Sequence, residues 1–304
     1  MISSPAIDLQ DVTVAYHRHL ALHGATLQLP AGTICGVVGM NGAGKSTLFK
    51  AIMGFVKPIR GQVRIHGLPR QQVQRQSLVA YVPQSEDVDW QFPLRVWDVV
   101  MMGRYGKMNW LRQPRGRDRQ RVQESLEQVE LWPLRQRQIG ELSGGQKKRM
   151  FLARAFAQEA QVLLLDEPFA GVDVKTEKLM IALLMAEREK GHTILISTHD
   201  LSSMTTFCDQ VVLVNRSILA YGRTSEVFTP ENLARAFEGS LRIPGAGTNG
   251  DESAYHRDRW LQALQWAAPS PCAEVGLAGR AAGGARPFRR GDRRAASEDG
   301  VDSD

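Results

Sequence analysis

Cysteine is scarce in this chain: Cys35, Cys208 and Cys272 are the only three in 304 residues, far apart and without a CxxC pair. That excludes a disulfide scaffold and a cysteine-built zinc site, and it fits a reducing compartment. Long apolar runs are missing too. Val162–Leu165 and Val211–Val214 are strand-length, far short of the roughly 20 residues a membrane-spanning helix needs. The opening MISSPAIDLQ has neither a basic start nor an apolar core, so no secretory signal is expected. Nor is one sign of charge greatly in excess: 38 Lys and Arg face 32 Asp and Glu, a net +6. This mild surplus suits nucleic acid, an anionic membrane surface or phosphate ligands, and does not choose among them. What is present, 43% hydrophobic and 23% charged residues, is globular composition and rules out a wholly disordered or collagen-like chain.

Up to about residue 240, short β-rich runs alternate with helical stretches, the pattern of an α/β fold with a mostly parallel sheet. The pattern predicts strands at Ile7–Tyr16, Thr26–Leu29, Ile34–Val38, Gln62–His66, Leu78–Val82, Val162–Leu165, Thr193–Ser197 and Gln210–Val214. It predicts helices at Lys45–Met53, Leu94–Met102, Arg121–Glu130, Lys147–Gln158, Lys175–Glu189 and Leu201–Phe207. The early strands, with their Gly- and Pro-rich turns, read as an antiparallel subdomain, and the later continuous apolar strands as central and buried. Residues 241–304 turn to Ala, Gly and Arg with nearly cancelling charge. They are expected to build no core, with at most one weak amphipathic helix at Tyr255–Ala268.

Gly39-Met40-Asn41-Gly42-Ala43-Gly44-Lys45-Ser46-Thr47 fits GxxxxGK[ST], after an apolar strand and at the opening of a helix. The glycines let backbone N–H groups turn inward as an anion nest at a helix N-terminus. In this reading Lys45 reaches the β- and γ-phosphates of a nucleotide, Ser46 places its hydroxyl on Mg²⁺, and Thr47 donates to a phosphate. Farther on, Val162–Leu165 runs into Asp166 and Glu167. A central strand delivers its last residues to the edge where phosphate-loop ligands sit. Asp166 is expected to hold Mg²⁺ and Glu167 to activate water as a general base. Between these motifs lies Leu142-Ser143-Gly144-Gly145-Gln146, a second Gly-rich turn before a helix. Two anion-binding turns with one Mg²⁺ site make sense if two copies pair head-to-tail, each capping the other's ATP.

LSGGQ, with GMNGAGKST before it and LLLDEP after it, resembles the ATP-binding subunit of an ABC transporter over residues 7–240. The resemblance implies a P-loop ABC cassette: a central mostly parallel sheet, an antiparallel β subdomain and a helical subdomain at about 85–160. It assigns adenine stacking to Tyr16, contact with Mg²⁺ and the attacking water to Gln84, communication across the dimer to Asp173, and the γ-phosphate to His199. Nucleotide binding falls on Tyr16, Gly39, Asn41, Gly42, Ala43, Gly44, Lys45, Ser46 and Thr47, with Ser143, Gly144, Gly145, Gln146 and Asp173 acting across the dimer. Catalysis falls on Glu167, His199, Lys45 and Gln84, and Mg²⁺ on Ser46, Gln84 and Asp166. The implied ligands are ATP and Mg²⁺ only. With IGELSGGQKKRMFLARA and DEPFAGVDVKT the chain resembles bacterial importers of the manganese/iron/zinc class, and within that class PQSEDVDWQFP and VVMMGRYG resemble the manganese and chelated-iron branch. That implies Mn²⁺ or Fe²⁺ as cargo, a membrane permease, an extracytoplasmic metal-binding protein and a second nucleotide-binding copy as partners, no nucleic acid, and a place on the cytoplasmic face of the cell membrane. A zinc or siderophore importer is the alternative, and a non-transport ABC ATPase a more distant one. There is neither a long heptad run between Lys45 and Ser143 nor a second cassette to favour the latter.

Two features are left open by the residues. Trp90, Phe92, Trp97, Met101, Met102 and Trp110 exceed what one small helical core needs, so part of them is expected at an exposed docking patch. Arg112, Arg115, Arg117, Arg119 and Arg121 read either as a solvated face or as a strip facing phospholipid or permease. His17, His19 and His23, lacking Cys or carboxylate companions, are expected in an exposed inter-strand loop and not at a metal.

Overall fold

Strands buried at every position need a partner on both faces, and three here meet that description: ICGVV, VLLLD and TILIST. The computed structural model describes residues 4–17, 19–84, 89–198 and 201–237. His199 and the tail 241–304, with its expected helix at Tyr255–Ala268, lie outside the described residues. In chain order the strands are β1 (Ile7–Tyr16), β2 (His19–Leu29), β3 (Ile34–Val38), β4 (Arg60–Ile65), β5 (Leu68–Pro69), β6 (Val79–Val82), β7 (Val162–Asp166), β8 (Thr193–Thr198), β9 (Gln210–Val214) and β10 (Ile218–Arg223). The helices are α1 (Lys45–Met53), α2 (Arg70–Arg75), α3 (Val96–Met102), α4 (Gly116–Gln128), α5 (Gly144–Ala157), α6 (Val174–Glu189), α7 (Leu201–Phe207), α8 (Thr224–Val227) and α9 (Pro230–Ala236).

The main sheet has the order β10-β9-β3-β8-β7-β6. All its neighbours pair in parallel except β9 with β10. A second sheet, β2-β1-β4-β5, is antiparallel. Period-two alternation sorts the buried strands between two cores. Ile34, Val38, Leu163, Leu165, Ile194 and Ile196 share one core with helices α3 to α7, β8 lying against α6 and β3 against α7. Cys35, Val37, Val162, Leu164, Leu195 and Val212 face α1 and the antiparallel sheet.

Caps explain where the helices differ from expectation. α4 begins at Gly116, not Arg121, because the Asp118 carboxylate accepts from Arg115 N–H at 3.0 Å. α5 begins at Gly144, not Lys147, because Ser143 and Gln146 cap each other reciprocally: Gln146 N–H donates to Ser143 Oγ at 3.3 Å and Ser143 N–H to Gln146 Oε1 at 2.9 Å. β2 starts at His19, well before Thr26, since pairing with β1 extends it through polar residues. His19 and His23 are therefore strand residues and not loop ones, and only His17 lies in the β1–β2 turn.

The aromatic surplus also resolves. Trp90 packs edge-on against Phe151 and Trp97 against Trp132, both half-buried, and Met101 is buried. Only Phe92 and Trp110 of that group are exposed.

Across the two layers, Glu187 of α6 is buried and bound by His192 Nδ1 at 2.7 Å, Lys190 Nζ at 2.6 Å and Gln128 Nε2 of α4 at 2.9 Å. Burial pushes its carboxyl up, but these hydrogen bonds and the Lys190 charge outweigh that and bring the pKa from 4.5 down to about 2. A depressed carboxylate pKa stabilises the fold above the unfolded value and loses that contribution as pH falls through the folded one. The expected contribution is on the order of 3 kcal/mol. Denaturant unfolding of wild type and Glu187→Gln should differ by a constant amount above pH 5, and the difference should vanish as pH falls from about 4.5 to about 2. A pH-independent difference would remove the ion from this account.

Candidate nucleotide site

Four parallel strands, β3, β8, β7 and β6, end at one edge of the main sheet, and the expected site residues sit at their C-terminal ends and in the loops beyond. After β3 the chain makes the loop Gly39–Gly44 and enters α1 at Lys45. Glycine is required at its two ends. A Cβ at Gly39 would lie 2.2 Å from Val214 O of β9, and Gly44, at φ 102°, would meet Ala21 O of β2 at 2.8 Å. The loop is tied from behind as well: Arg216 N–H donates to Ala43 O at 2.7 Å, and Arg216 O accepts from His23 N–H at 2.6 Å. Lys45 is buried, with Nζ donating to Gly39 O at 2.7 Å and Met40 O at 3.1 Å. Burial lowers its pKa, and the nearby Glu167 and Asp166 charges work the other way to keep it an ammonium. Asn41, Gly42 and Ser46 face outward.

The acidic half lies at the end of β7. Asp166 is buried; it accepts a short hydrogen bond from Ser197 Oγ of β8 and another from Tyr81 OH of β6 at 3.3 Å. Glu167 adopts φ 47°, a left-handed conformation strained for a side-chain residue. The strain is held by its N–H, which donates to Ser197 O at 3.1 Å and Ser197 Oγ at 3.2 Å, while its own carbonyl accepts from Lys148 Nζ at 3.0 Å. Gln84, after β6, donates from Nε2 to Glu167 Oε2 at 2.8 Å. The structure thus brings Lys45, Asp166, Glu167 and Gln84 to one edge.

Ser143, Gly144, Gly145 and Asp173 form a second group, at the N-termini of α5 and α6. A Cβ on Gly145 would meet Thr176 Oγ1 at 3.3 Å, so the two helix starts abut. Asp173 caps α6, accepting from Thr176 N–H at 2.9 Å and Thr176 Oγ1 at 2.7 Å, and these bonds hold its carboxyl below the usual range. The Gln146 side chain is committed to its cap, which leaves the Ser143 hydroxyl and the first N–H groups of α5 as the outward features. Tyr16 ends β1 opposite His19 and is 39% exposed, on the hairpin whose β2 backs Gly44.

Three residues that position the acids were not singled out from sequence: Tyr81, Lys148 and Ser197. Tyr81 and Ser197 are visible in hindsight as polar groups inside otherwise apolar strands. Lys148 carried no signal beyond lying in a basic pair.

The sequence profile of the ABC transporter family matches residues 22–170. The manganese transport system ATP-binding protein MntA of Synechocystis is 62% identical over 234 residues, which cover 77% of this chain and 90% of that protein. YfeB of Yersinia pestis, of a chelated iron transport system, is 56% identical over 78% of this chain and 81% of its own length. Among solved structures, cbiO1 from Clostridium perfringens, part of the ABC transporter complex cbiONQ, superposes with a TM-score of 0.65 at 28% identity, over 85% of this chain and 99% of that one. With its phosphate loop, acidic strand end and capped LSGGQ helix, this chain belongs to the ABC transporter family, as an ATP-binding, ATP-hydrolysing subunit.

Proposed function

We propose that this ATPase powers import of a transition metal ion, Mn²⁺ or Fe²⁺, through a partner membrane permease. The observation that carries the metal assignment is the 62% identity to a manganese transport subunit over nearly that protein's whole length. In this reading the chain works at the cytoplasmic face of the cell membrane as a pair of copies, with an extracytoplasmic metal-binding protein supplying the cargo. No helix among the described residues is long and apolar enough to cross a membrane, so passage falls to the partner. Residues 1–240 serve as the ATP-binding domain, with a helical subdomain at about 85–160, and 241–304 as a separate tail.

Supporting the chemistry is the convergence of Lys45, Gln84, Asp166 and Glu167 at one sheet edge. The P-loop N–H groups, from Gly39 through Ala43 and Gly44, cradle the phosphates, and Thr47 adds a hydroxyl. Lys45 exchanges two backbone carbonyls for β- and γ-phosphate oxygens, an exchange favoured because both partners are then charged. Ser46, Asp166 and Gln84 offer only hard oxygen donors, a set that fits Mg²⁺. When bound, that ion supplies charge neutralisation at the phosphates. Glu167 takes the proton of the attacking water while Gln84 and the Ser197 backbone hold its carboxylate in line. His199 holds the γ-phosphate and Tyr16 stacks on adenine. Ser143, Gly144, Gly145 and Gln146 of the second copy close over the nucleotide, with Asp173 linking the two sites. Closure of the pair moves the permease, and hydrolysis resets it.

Uptake of Mn²⁺, Fe²⁺ and Zn²⁺ by metal-starved cells, carrying the permease genes and either wild type or Lys45→Ala, tests the assignment. Loss of Mn²⁺ or Fe²⁺ uptake in the variant is expected. Loss confined to Zn²⁺, or to none of the three, would discard the assigned cargo while leaving the ATPase in place.

A further inference from the structure

The loop joining α3 to α4 takes no part in the nucleotide site, and its surface combines exposed apolar side chains with a run of arginines. Arg112 N–H donates to Asn109 O at 2.9 Å, closing a turn with Trp110 and Leu111 at its corner. Trp110 is 89% exposed, Leu111 53% and Tyr105 38%. Arg112, Arg115, Arg117 and Arg119 are all exposed around them. Among the described residues, Arg112, Arg115 and Arg119 form no ion pair, and Arg117 reaches Glu159 only at 3.8 Å with its side chain 82% exposed. The Arg112 guanidinium lies 5.4 Å from the centre of the Tyr105 ring, joining the two sides of the loop.

The base of this loop is clamped. Arg104, buried, donates to Asp118 Oδ1 at 3.1 Å, to Ala157 O at 2.7 Å and to Glu159 Oε2 at 2.6 Å. Those bonds lock the end of α3 to the start of α4 and the end of α5, so the Trp–Leu corner is held out by a buried staple. A tryptophan presented this way contributes nothing to the core, and the four exposed guanidiniums outnumber the carboxylates beside them, Asp118 near Arg115 and Glu159 near Arg117, and repel one another. Both penalties are relieved by a surface that is anionic on top and apolar just beneath. The tip is aromatic plus aliphatic and its surround is rich in arginine, so a lipid headgroup layer fits better than a nucleic acid. Tryptophan settles at the headgroup level, and arginine binds phosphate oxygens in a bidentate fashion.

We propose that the α3–α4 loop with the first turn of α4, Tyr105–Arg119, docks on the anionic lipid surface of the membrane, with Trp110 and Leu111 inserted among headgroups and the four arginines on lipid phosphates. The contact requires neither the cargo nor the permease, and it stands whichever metal is carried.

The test is co-sedimentation of the full-length chain with vesicles of phosphatidylcholine alone, or mixed with phosphatidylglycerol, at low and high salt. Wild type is expected to pellet with the anionic vesicles only, and less so in high salt. Replacing Arg112, Arg115, Arg117 and Arg119 together by Gln should weaken binding about 10³-fold, and Trp110→Ser about tenfold. Phosphate release should be unchanged in both variants, which shows that they are folded. Residues 241–304 carry further arginines, so the comparison is made within the same full-length chain. Equal pelleting of wild type and the arginine variant would overturn the proposal, as would equal binding to neutral vesicles. So would binding seen only when the vesicles hold the permease, which would assign the patch to protein.

Discussion

Glu167→Gln should turn over ATP about 10²–10⁴-fold more slowly than wild type while still binding it. Glutamine is nearly isosteric, so the backbone bonds that hold position 167 at φ 47°, from its N–H to Ser197 and from Lys148 to its carbonyl, survive the change. What is lost is the basic oxygen, and with it acceptance of a proton from water. Because ground-state contacts with the phosphates come from other residues, the loss belongs to turnover and not to affinity. The same variant should accumulate as a closed, ATP-bound pair, visible as a larger species in size exclusion with ATP and Mg²⁺. Phosphate release and nucleotide binding measured side by side decide the matter. Wild-type turnover would remove Glu167 from the role of base.

Lys45→Ala acts at the other end of the chemistry, and its expected effect is a loss of ATP affinity of about 10²-fold, since hydrogen bonds to charged groups are worth about 1.5–3 kcal/mol and more than one is lost. The ammonium is pre-placed: it is buried at the mouth of α1, between two loop carbonyls and within the field of Asp166 and Glu167. Removing it leaves Mg²⁺ as the one cation left between the two carboxylates and the phosphates. Equilibrium binding of a fluorescent ATP analogue measures the change, and thermal unfolding of the nucleotide-free variant separates it from misfolding. Affinity within a few-fold of wild type would show that the loop N–H groups and helix N-terminus hold the phosphates without Lys45.

Much of this was legible along the chain because its signals are local. A glycine needed where a backbone passes within contact distance, as at Gly39 and Gly44, stays a glycine whatever surrounds it, and the phosphate loop reads directly. A strand buried on both faces writes a continuous apolar run, so Val162–Asp166 and the acids at its end were readable too. Ser143 and Gln146 are a capping box by spacing alone, though periodicity placed the helix start at Lys147, past its true beginning at Gly144.

Other features came from pairings across the chain. β10 has a mixed sequence and exists as a strand because it pairs with β9. Tyr81 and Ser197 lie far apart in sequence and meet only because β6, β7 and β8 are neighbours in the sheet, which is what puts both on Asp166. The same holds for the tryptophans: Trp90 and Trp97 found aromatic partners in Phe151 and Trp132 and joined the interior, while Trp110 sits on a turn with none. Spacing along one segment is set by local backbone geometry and can be read from that segment. Which side chains share a carboxylate, a core or an exposed corner depends on strand order and helix packing, and those are decided by the free energy of the whole fold.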